Sequence, residues 1–246
     1  MKKAITKQFV SHIYNSEQKS VGKTIMIFHG WGSSVNNYIE LANLLSTFGF
    51  RVILPEIVFH DSRNKLGNHF AKEVTQEYFW KVIMKTIDEA NHILEELDIR
   101  KEEVILMGVS MGGFIANGIF VNGHKFAGLI NVNGSGSFLL SEEIFRENDH
   151  RPEMTTDEIN VLREYDPKGK KTKSSPILLM HGEQDTVVSI EGQKNYLTYL
   201  TEGNRIHDVV FNTYKDVNHS FSEEMIENLI QWLIKKFHVD KGVTYN

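Results

Sequence analysis

Residues 107 to 114 read MGVSMGGF and set one serine among glycines. Glycine gives up more backbone freedom on folding than any other residue. Gly108, Gly112 and Gly113 are therefore costly unless the chain there turns sharply or passes close to a neighbour. An apolar run, EVILM, comes before the segment, and a helix-like run, GFIANGIF, comes after it. A serine on a tight strand-to-helix turn projects its hydroxyl. The new helix then aims its N–H groups and the positive end of its dipole at any negative charge that develops beside it. An acyl-transfer nucleophile needs that placement, so Ser110 is the candidate. The G-x-S-x-G spacing alone is a modest signal, because a glycine-rich turn with an incidental serine matches it too.

A serine hydroxyl is a weak nucleophile until a base takes its proton. The chain holds 11 histidines, so position has to choose among them. His219, in KDVNHSF, follows the last strand-like run and precedes the C-terminal helix. Loops at the carboxyl ends of strands are where sites collect in open α/β sheets. His207 stands at the opposite end of its strand, and His238 at a helix end. His60, His69, His124 and His150 lie in earlier loops. The base needs an acid to set its tautomer and stabilise the imidazolium. Asp185, in PILLMHGEQDTVVS, follows a buried strand by a short turn, with Glu183 and Asp216 as competitors. The oxyanion needs two donors. The backbone N–H of Met111 follows the nucleophile directly, and the N–H of Trp31 lies in the early turn MIFHGWGSS.

Elements that would position these groups are legible as short apolar runs at 24–28, 51–55, 103–108, 127–133, 176–182 and 207–214. Continuous apolar runs of this length suit strands buried on both faces, as in a parallel sheet. Residues 72–97 and 222–237 carry helical apolar spacing, and the second has Ser222 and acids first and Lys235 and Lys236 last, the charge order a helix dipole prefers. Alternating strands and helices imply an α/β domain spanning 1–246. Residues 136–175 break the rhythm with many charges, two prolines and helix-like apolar groups, and they read as a short cap. Phe138, Phe145 and Met154 are its candidate pocket walls, and a short cap suits a small acyl group.

A net charge of -5 gives no reason to expect nucleic acid or an anionic membrane as partner. There is no cysteine, which excludes disulfides, thiolate metal sites and a cysteine nucleophile. No histidine–carboxylate spacing suggests a metal, and no cofactor is expected. SVGKT at 20–24 lacks the upstream glycine of a phosphate loop, since Glu17 holds that place, and NGSG at 133–136 reads as a turn. The N-terminus develops no apolar signal segment, and no run approaches a membrane span, so a cytoplasmic protein is expected.

HGWG at 29–32, GVSMGG at 108–113, HGEQDTVV at 181–188 and NHSF at 218–221 together resemble the α/β-hydrolase superfamily over roughly 24–237. LPEIVFHDSR at 54–63 is similar to that superfamily's proline–acid–glycine–histidine–glycine loop, with Phe59 and Asp61 in place of glycines. The compact size and the HGxxD pattern look most like single-domain esterases of the dienelactone-hydrolase and prolyl-oligopeptidase-like branch. Dienelactone hydrolases usually use cysteine, so their substrates are not implied. The resemblance implies a mostly parallel eight-stranded sheet with helices on both faces, a cap after the sixth strand, and the nucleophile–acid–base order Ser110, Asp185, His219. The expected activity is hydrolysis of small carboxylic esters. Thioesterase, amidase or peptidase chemistry on the same residues, and a non-catalytic binding module on this scaffold, are the rivals.

Overall fold

The computed structural model describes residues 2–5, 9–16, 19–123, 125–172, 174–203, 206 and 208–239. His124 and His207 lie outside the described residues. Eight strands form one sheet in the order β1-β2-β4-β3-β5-β6-β7-β8. The first hairpin joins β1 (Lys2–Ile5) to β2 (Val10–Tyr14), and β2 runs antiparallel to β4 (Arg51–Pro55). All other pairings are parallel and involve β3 (Thr24–Phe28), β5 (Val104–Val109), β6 (Gly128–Val132), β7 (Ile177–Gly182) and β8 (Val209–Tyr214). The helices between them are α1 (Ile39–Thr47), α2 (Lys72–Glu96), α3 (Met111–Gly123), α4 (Phe138–Asn148), α5 (Thr156–Tyr165), α6 (Ile190–Thr198) and α7 (Glu223–Phe237).

Successive side chains on a strand face opposite ways, and the two cores divide on that rule. Met26, Phe28, Leu106, Leu129 and Leu179 pack with α2, α3, α4 and α6. Ile25, Ile27, Ile105, Met107, Ile130 and Met180 pack with α1 and α7. Both faces are covered, which is why β3, β5, β6 and β7 are buried along their whole length and read as unbroken apolar runs. The Ser222 side chain accepts the Met225 N–H at the start of α7, and Lys235 and Lys236 occupy its last turn.

The connection between β6 and β7 holds α4 and α5. It is tied down at several points. Thr155 and Glu158 form a capping box at the start of α5. Arg146 donates to Glu142 and to the carbonyls of Pro152 and Glu153, and it pairs with Glu158. Glu142, nearly buried, also accepts the Trp80 indole N–H at 2.8 Å, which fastens α4 to α2. Among the described residues, no helix is long and apolar enough to cross a membrane.

Leu229 on α7 is fully buried. Leu229→Ala is expected to cost about 2–5 kcal/mol in denaturant unfolding, and it leaves the opposite face of the sheet untouched.

Candidate functional site

The candidate nucleophile, acid, base and oxyanion turn all stand just beyond the carboxyl ends of strands. Ser110 follows β5, the Trp31 turn follows β3, Asp185 follows β7 and His219 follows β8. Ser110 has φ +57°, in the left-handed region that side chains disfavour. The glycines around it make that conformation possible. A Cβ on Gly108 would lie 1.8 Å from the Gly112 carbonyl oxygen, and one on Gly112 would lie 2.0 Å from the Phe28 carbonyl oxygen. A Cβ on Gly113 would lie 2.4 Å from Asn131 Oδ1. The Ser110 N–H donates to the Val132 carbonyl at 2.8 Å, and the Gly113 N–H donates to the Ser110 carbonyl at 2.8 Å. The turn is thus held to β6 on one side and opens α3 on the other.

Ser110 Oγ donates to His219 Nε2 at 2.8 Å, and His219 Nδ1 donates to Asp185 Oδ2 at 2.7 Å. This pairing assigns the imidazole tautomer. The proton on Nδ1 faces the carboxylate, and the lone pair on Nε2 faces the hydroxyl. Asp185 Oδ1 accepts the N–H groups of Val187 and Val188, both at 2.9 Å. The Asp185 side chain is fully buried, and the His219 side chain is 20% exposed. Burial pushes the Asp185 carboxyl up. The bonds from His181 and His219, the His219 charge and the Val188 N–H outweigh burial and hold it well below the usual carboxylate range. Glu183 and Asp216 are engaged elsewhere: Glu183 accepts from Thr213 Oγ1 at 2.7 Å and Asp216 accepts from Gln184 Nε2 at 3.0 Å.

Two asparagines join the acid loop to the histidine loop. Asn218 Oδ1 accepts the Thr186 N–H at 3.0 Å and the His219 N–H at 2.7 Å. Asn133 accepts the Gly182 N–H at 3.0 Å and donates to the Ser220 carbonyl at 2.8 Å. Sequence reasoning left both without a role. Asn133 lies in a segment read only as a turn, and the one available signal was its place straight after a buried strand.

The Trp31 turn abuts Ser110. A Cβ on Gly30 would lie 3.2 Å from Ser110 Cβ. Among the described residues, neither the Trp31 N–H nor the Met111 N–H has a hydrogen-bond acceptor. The Gly30 carbonyl accepts the Ser33 N–H at 3.2 Å across the turn, with Gly32 at φ +67°. The 56–63 loop, where Phe59 and Asp61 stand in glycine positions, keeps the glycine-type backbone: φ is 63° at Phe59 and 49° at Asp61. Asp61 repays that strain locally. It accepts from His29 Nε2 at 2.8 Å and from the N–H groups of Val35 at 2.9 Å and Ile57 at 3.2 Å. Burial raises the Asp61 carboxyl, but those bonds bring it below its ordinary value.

A pocket of about 290 Å³ opens on Ser110, walled mainly by Trp31, Phe79, Trp80, Phe145 and Val188. Phe145 is the expected wall residue that the pocket contains. Phe138 is a correction: it is fully buried beneath the pocket, with its ring 5.3 Å from Trp80 and 5.6 Å from Phe114. Met154 is another, since it lines a separate depression with Arg146 and Ile159. The reason is position along the segment: Phe138, at the first turn of α4, is sealed in the core, whereas Met154 lies in the connector beyond the end of α4 and past the pocket. Phe79 and Trp80 went unassigned because apolar residues on α2 read as core. They do pack on the core and present their remaining surface to the pocket.

Two measurements bear on this geometry. Gly108→Ala is expected to destabilise toward the upper end of about 1–3 kcal/mol or beyond. Gly67→Ala, with nothing within 4 Å of the added Cβ, should stay within about 0.5 kcal/mol of the parent. Thermal unfolding compares them. The second concerns Asp61. A carboxyl lowered on folding contributes stability above its unfolded pKa and loses it as pH falls through the folded value. Asp61→Asn should therefore unfold more easily than the parent at pH 7, and the gap should close below about pH 4.

Residues 41–240 match the prolyl oligopeptidase family. The putative esterase YitV of Bacillus subtilis is 28% identical over 195 residues, covering 72% of this chain and 74% of that protein. Esterase YjfP of Escherichia coli is 26% identical over 230 residues, covering 89% of this chain and 91% of that one. The crystal structure of TT1662 from Thermus thermophilus superposes with a TM-score of 0.73 at 14% identity, covering 97% of this chain and 98% of that one, which is a likeness of fold. With its nucleophile-type turn inside the matched span, the chain belongs to the prolyl oligopeptidase family.

Proposed function

We propose that this protein is a hydrolase of small carboxylic esters, with Ser110 as nucleophile. The unbroken hydrogen-bonded sequence from Ser110 through His219 to Asp185 carries the reading. The esterase names of its relatives agree with it. Ser110 Oγ attacks the acyl carbon as its proton passes to His219 Nε2. The ester carbonyl oxygen becomes an oxyanion and takes the unused N–H groups of Trp31 and Met111. His219 gives the proton to the leaving alcohol, and an acyl-serine remains. Water enters, loses a proton to His219 and attacks the acyl carbon, and the serine leaves with the proton returned. Asp185 stays ionised and holds the Nδ1 proton throughout.

Oxyanion donors matter because they favour charge that exists only in the transition state. Loss of one such donor costs roughly a hundredfold to a thousandfold in rate. The substrate chemistry follows from the walls. Trp31, Phe79, Trp80 and Phe145 form an aromatic wall next to the hydroxyl, and Gln76, Glu142, Asn148, Asp149 and Arg151 complete the lining. A space of about 290 Å³ suits a short or compact acyl or alcohol group better than a long flexible chain.

Ser110→Ala should lower turnover of a nitrophenyl acetate on the order of a millionfold with an unchanged far-UV spectrum, and it should abolish labelling by a fluorophosphonate. A panel of esters, thioesters and aminoacyl amides of rising acyl length should peak at short esters. A maximum at long acyl chains or at amides would refute the substrate assignment while leaving the nucleophile in place. Because Asp185 is held ionised well below the usual carboxylate range, its protonation should add no step to the fall of activity with pH above about pH 4. A rate–pH profile checks this.

A further inference from the structure

His60 is fully buried and takes no part in the proton path proposed above. Its two ring nitrogens face opposite kinds of partner. Nδ1 donates to the Val58 carbonyl at 3.2 Å, and Nε2 accepts the Gly32 N–H at 3.1 Å. The second bond lands on the central peptide of the Gly30–Ser33 turn, the turn that contains Trp31. The ring is wedged among His69 at 4.2 Å, Trp31 at 5.2 Å and His29 at 5.3 Å between ring centroids. The opposite side of the turn is pinned as well. Trp31 Nε1 donates to the His69 carbonyl at 2.8 Å, and His69 Nε2 donates to the Phe59 carbonyl at 2.9 Å.

A tight turn with glycine at its third position keeps its shape only while its central peptide stays in one orientation, because that peptide can flip between two turn types. The Gly32 N–H points into the protein, away from water, so it needs a buried acceptor. A neutral imidazole nitrogen supplies one, whereas an imidazolium supplies none. We infer that His60 is a positioning residue that holds the Trp31 turn against Ser110, so that the Trp31 N–H stays aimed at the developing oxyanion. Burial lowers the His60 pKa to about 4, with His29 and His69 lowering it further and the Val58 carbonyl and Asp61 opposing. The ring therefore remains a neutral acceptor across the range in which His219 works as a base.

The inference rests on the ester-hydrolase reading, and the test separates the two. His60→Leu keeps bulk and removes the acceptor. His60→Gln places an amide oxygen near the position of Nε2, and His60→Asn withdraws it. With a short nitrophenyl ester, His60→Leu should lose roughly tenfold to a hundredfold in kcat with KM within about twofold, as expected when a donor that acts in the transition state is misplaced. The inhibition constant of a trifluoromethyl ketone, which becomes a tetrahedral oxyanion on Ser110, should rise by the same factor. His60→Gln should recover most of both losses, and His60→Asn little. Unchanged kcat in a folded His60→Leu would overturn the inference. So would a kcat loss with an unchanged inhibition constant, or a glutamine variant no better than leucine. If the leucine variant does not fold, the Gln–Asn pair gives the same comparison. An inactive wild-type protein would end the ester-hydrolase reading separately. His60's hold on the turn would then be read from hydrogen exchange of the Gly32 amide, slow in the parent and fast in His60→Asn. Equal rates would overturn it.

Discussion

The left-handed backbone at Ser110 is the constraint on which the rest depends. A side-chain-bearing residue at φ +57° is strained, and the surroundings have to make it the best available conformation. They do so by close contact. Gly108, Gly112 and Gly113 let β3, β5, β6 and the start of α3 approach until a single methyl group would collide with backbone or with Asn131. The same closeness brings the Trp31 turn to Ser110 from one side and the first turn of α3 from the other. Strain at one residue is thus offset by packing from four elements, and the hydroxyl has a fixed direction before any substrate arrives.

Convergence of the remaining parts is a matter of sheet direction and a few stitches. Parallel strands deliver four loops to one rim, but strand direction alone does not fix where a loop tip ends. Asn133 and Asn218 remove that freedom by binding backbone groups of both the Asp185 and the His219 loops. Neither side chain has to touch substrate to matter, because an imidazole misplaced by an ångström loses its hydrogen bond to either neighbour. The placement of the histidine ring thus depends on asparagines.

Strands β3, β5, β6 and β7 were readable because burial on both faces leaves an unbroken apolar run, and β4 and the half-buried β8 because they are still apolar enough to stand out. Ser110, Asp185 and His219 were readable because each follows the end of such a strand by only one to five residues. The pair β1 and β2 was not singled out from the residues. VSHIY, on a strand at the antiparallel end of the sheet, lacks a strict polar–apolar alternation and is a short pattern that many loops share. Pocket walls were the least legible feature. Phe138, Phe145 and Met154 are equivalent as apolar residues of one segment. Phe138 and Phe145, seven residues apart, share one face of α4, and only their positions along the helix decide that Phe145 meets the pocket while Phe138 joins the core. Phe59 and Asp61 show another limit. Non-glycine residues in glycine positions signal a changed loop, yet the loop keeps its left-handed backbone because Asp61 recovers three hydrogen bonds for the strain it adds.

Two buried carboxylates in this protein each hold a histidine at nearly the same distance, 2.7 Å for Asp185 with His219 and 2.8 Å for Asp61 with His29. What separates chemistry from architecture is the partner of the other ring nitrogen. His29 Nδ1 faces the Gly30 carbonyl at 2.9 Å, so both of its nitrogens meet acceptors and neither faces a donor whose proton it could take. His219 Nε2 meets a hydroxyl, a donor whose proton can be taken. His60 is intermediate, because its Nε2 also meets a donor, but that donor is an amide far too weak an acid to surrender its proton. On the proposed reading, one side chain serves as a clamp, a base or an anchor according to whether its second nitrogen sees a carbonyl, an alcohol or an amide. The acid–base character of the rim is set less by the histidines than by the atoms placed opposite them.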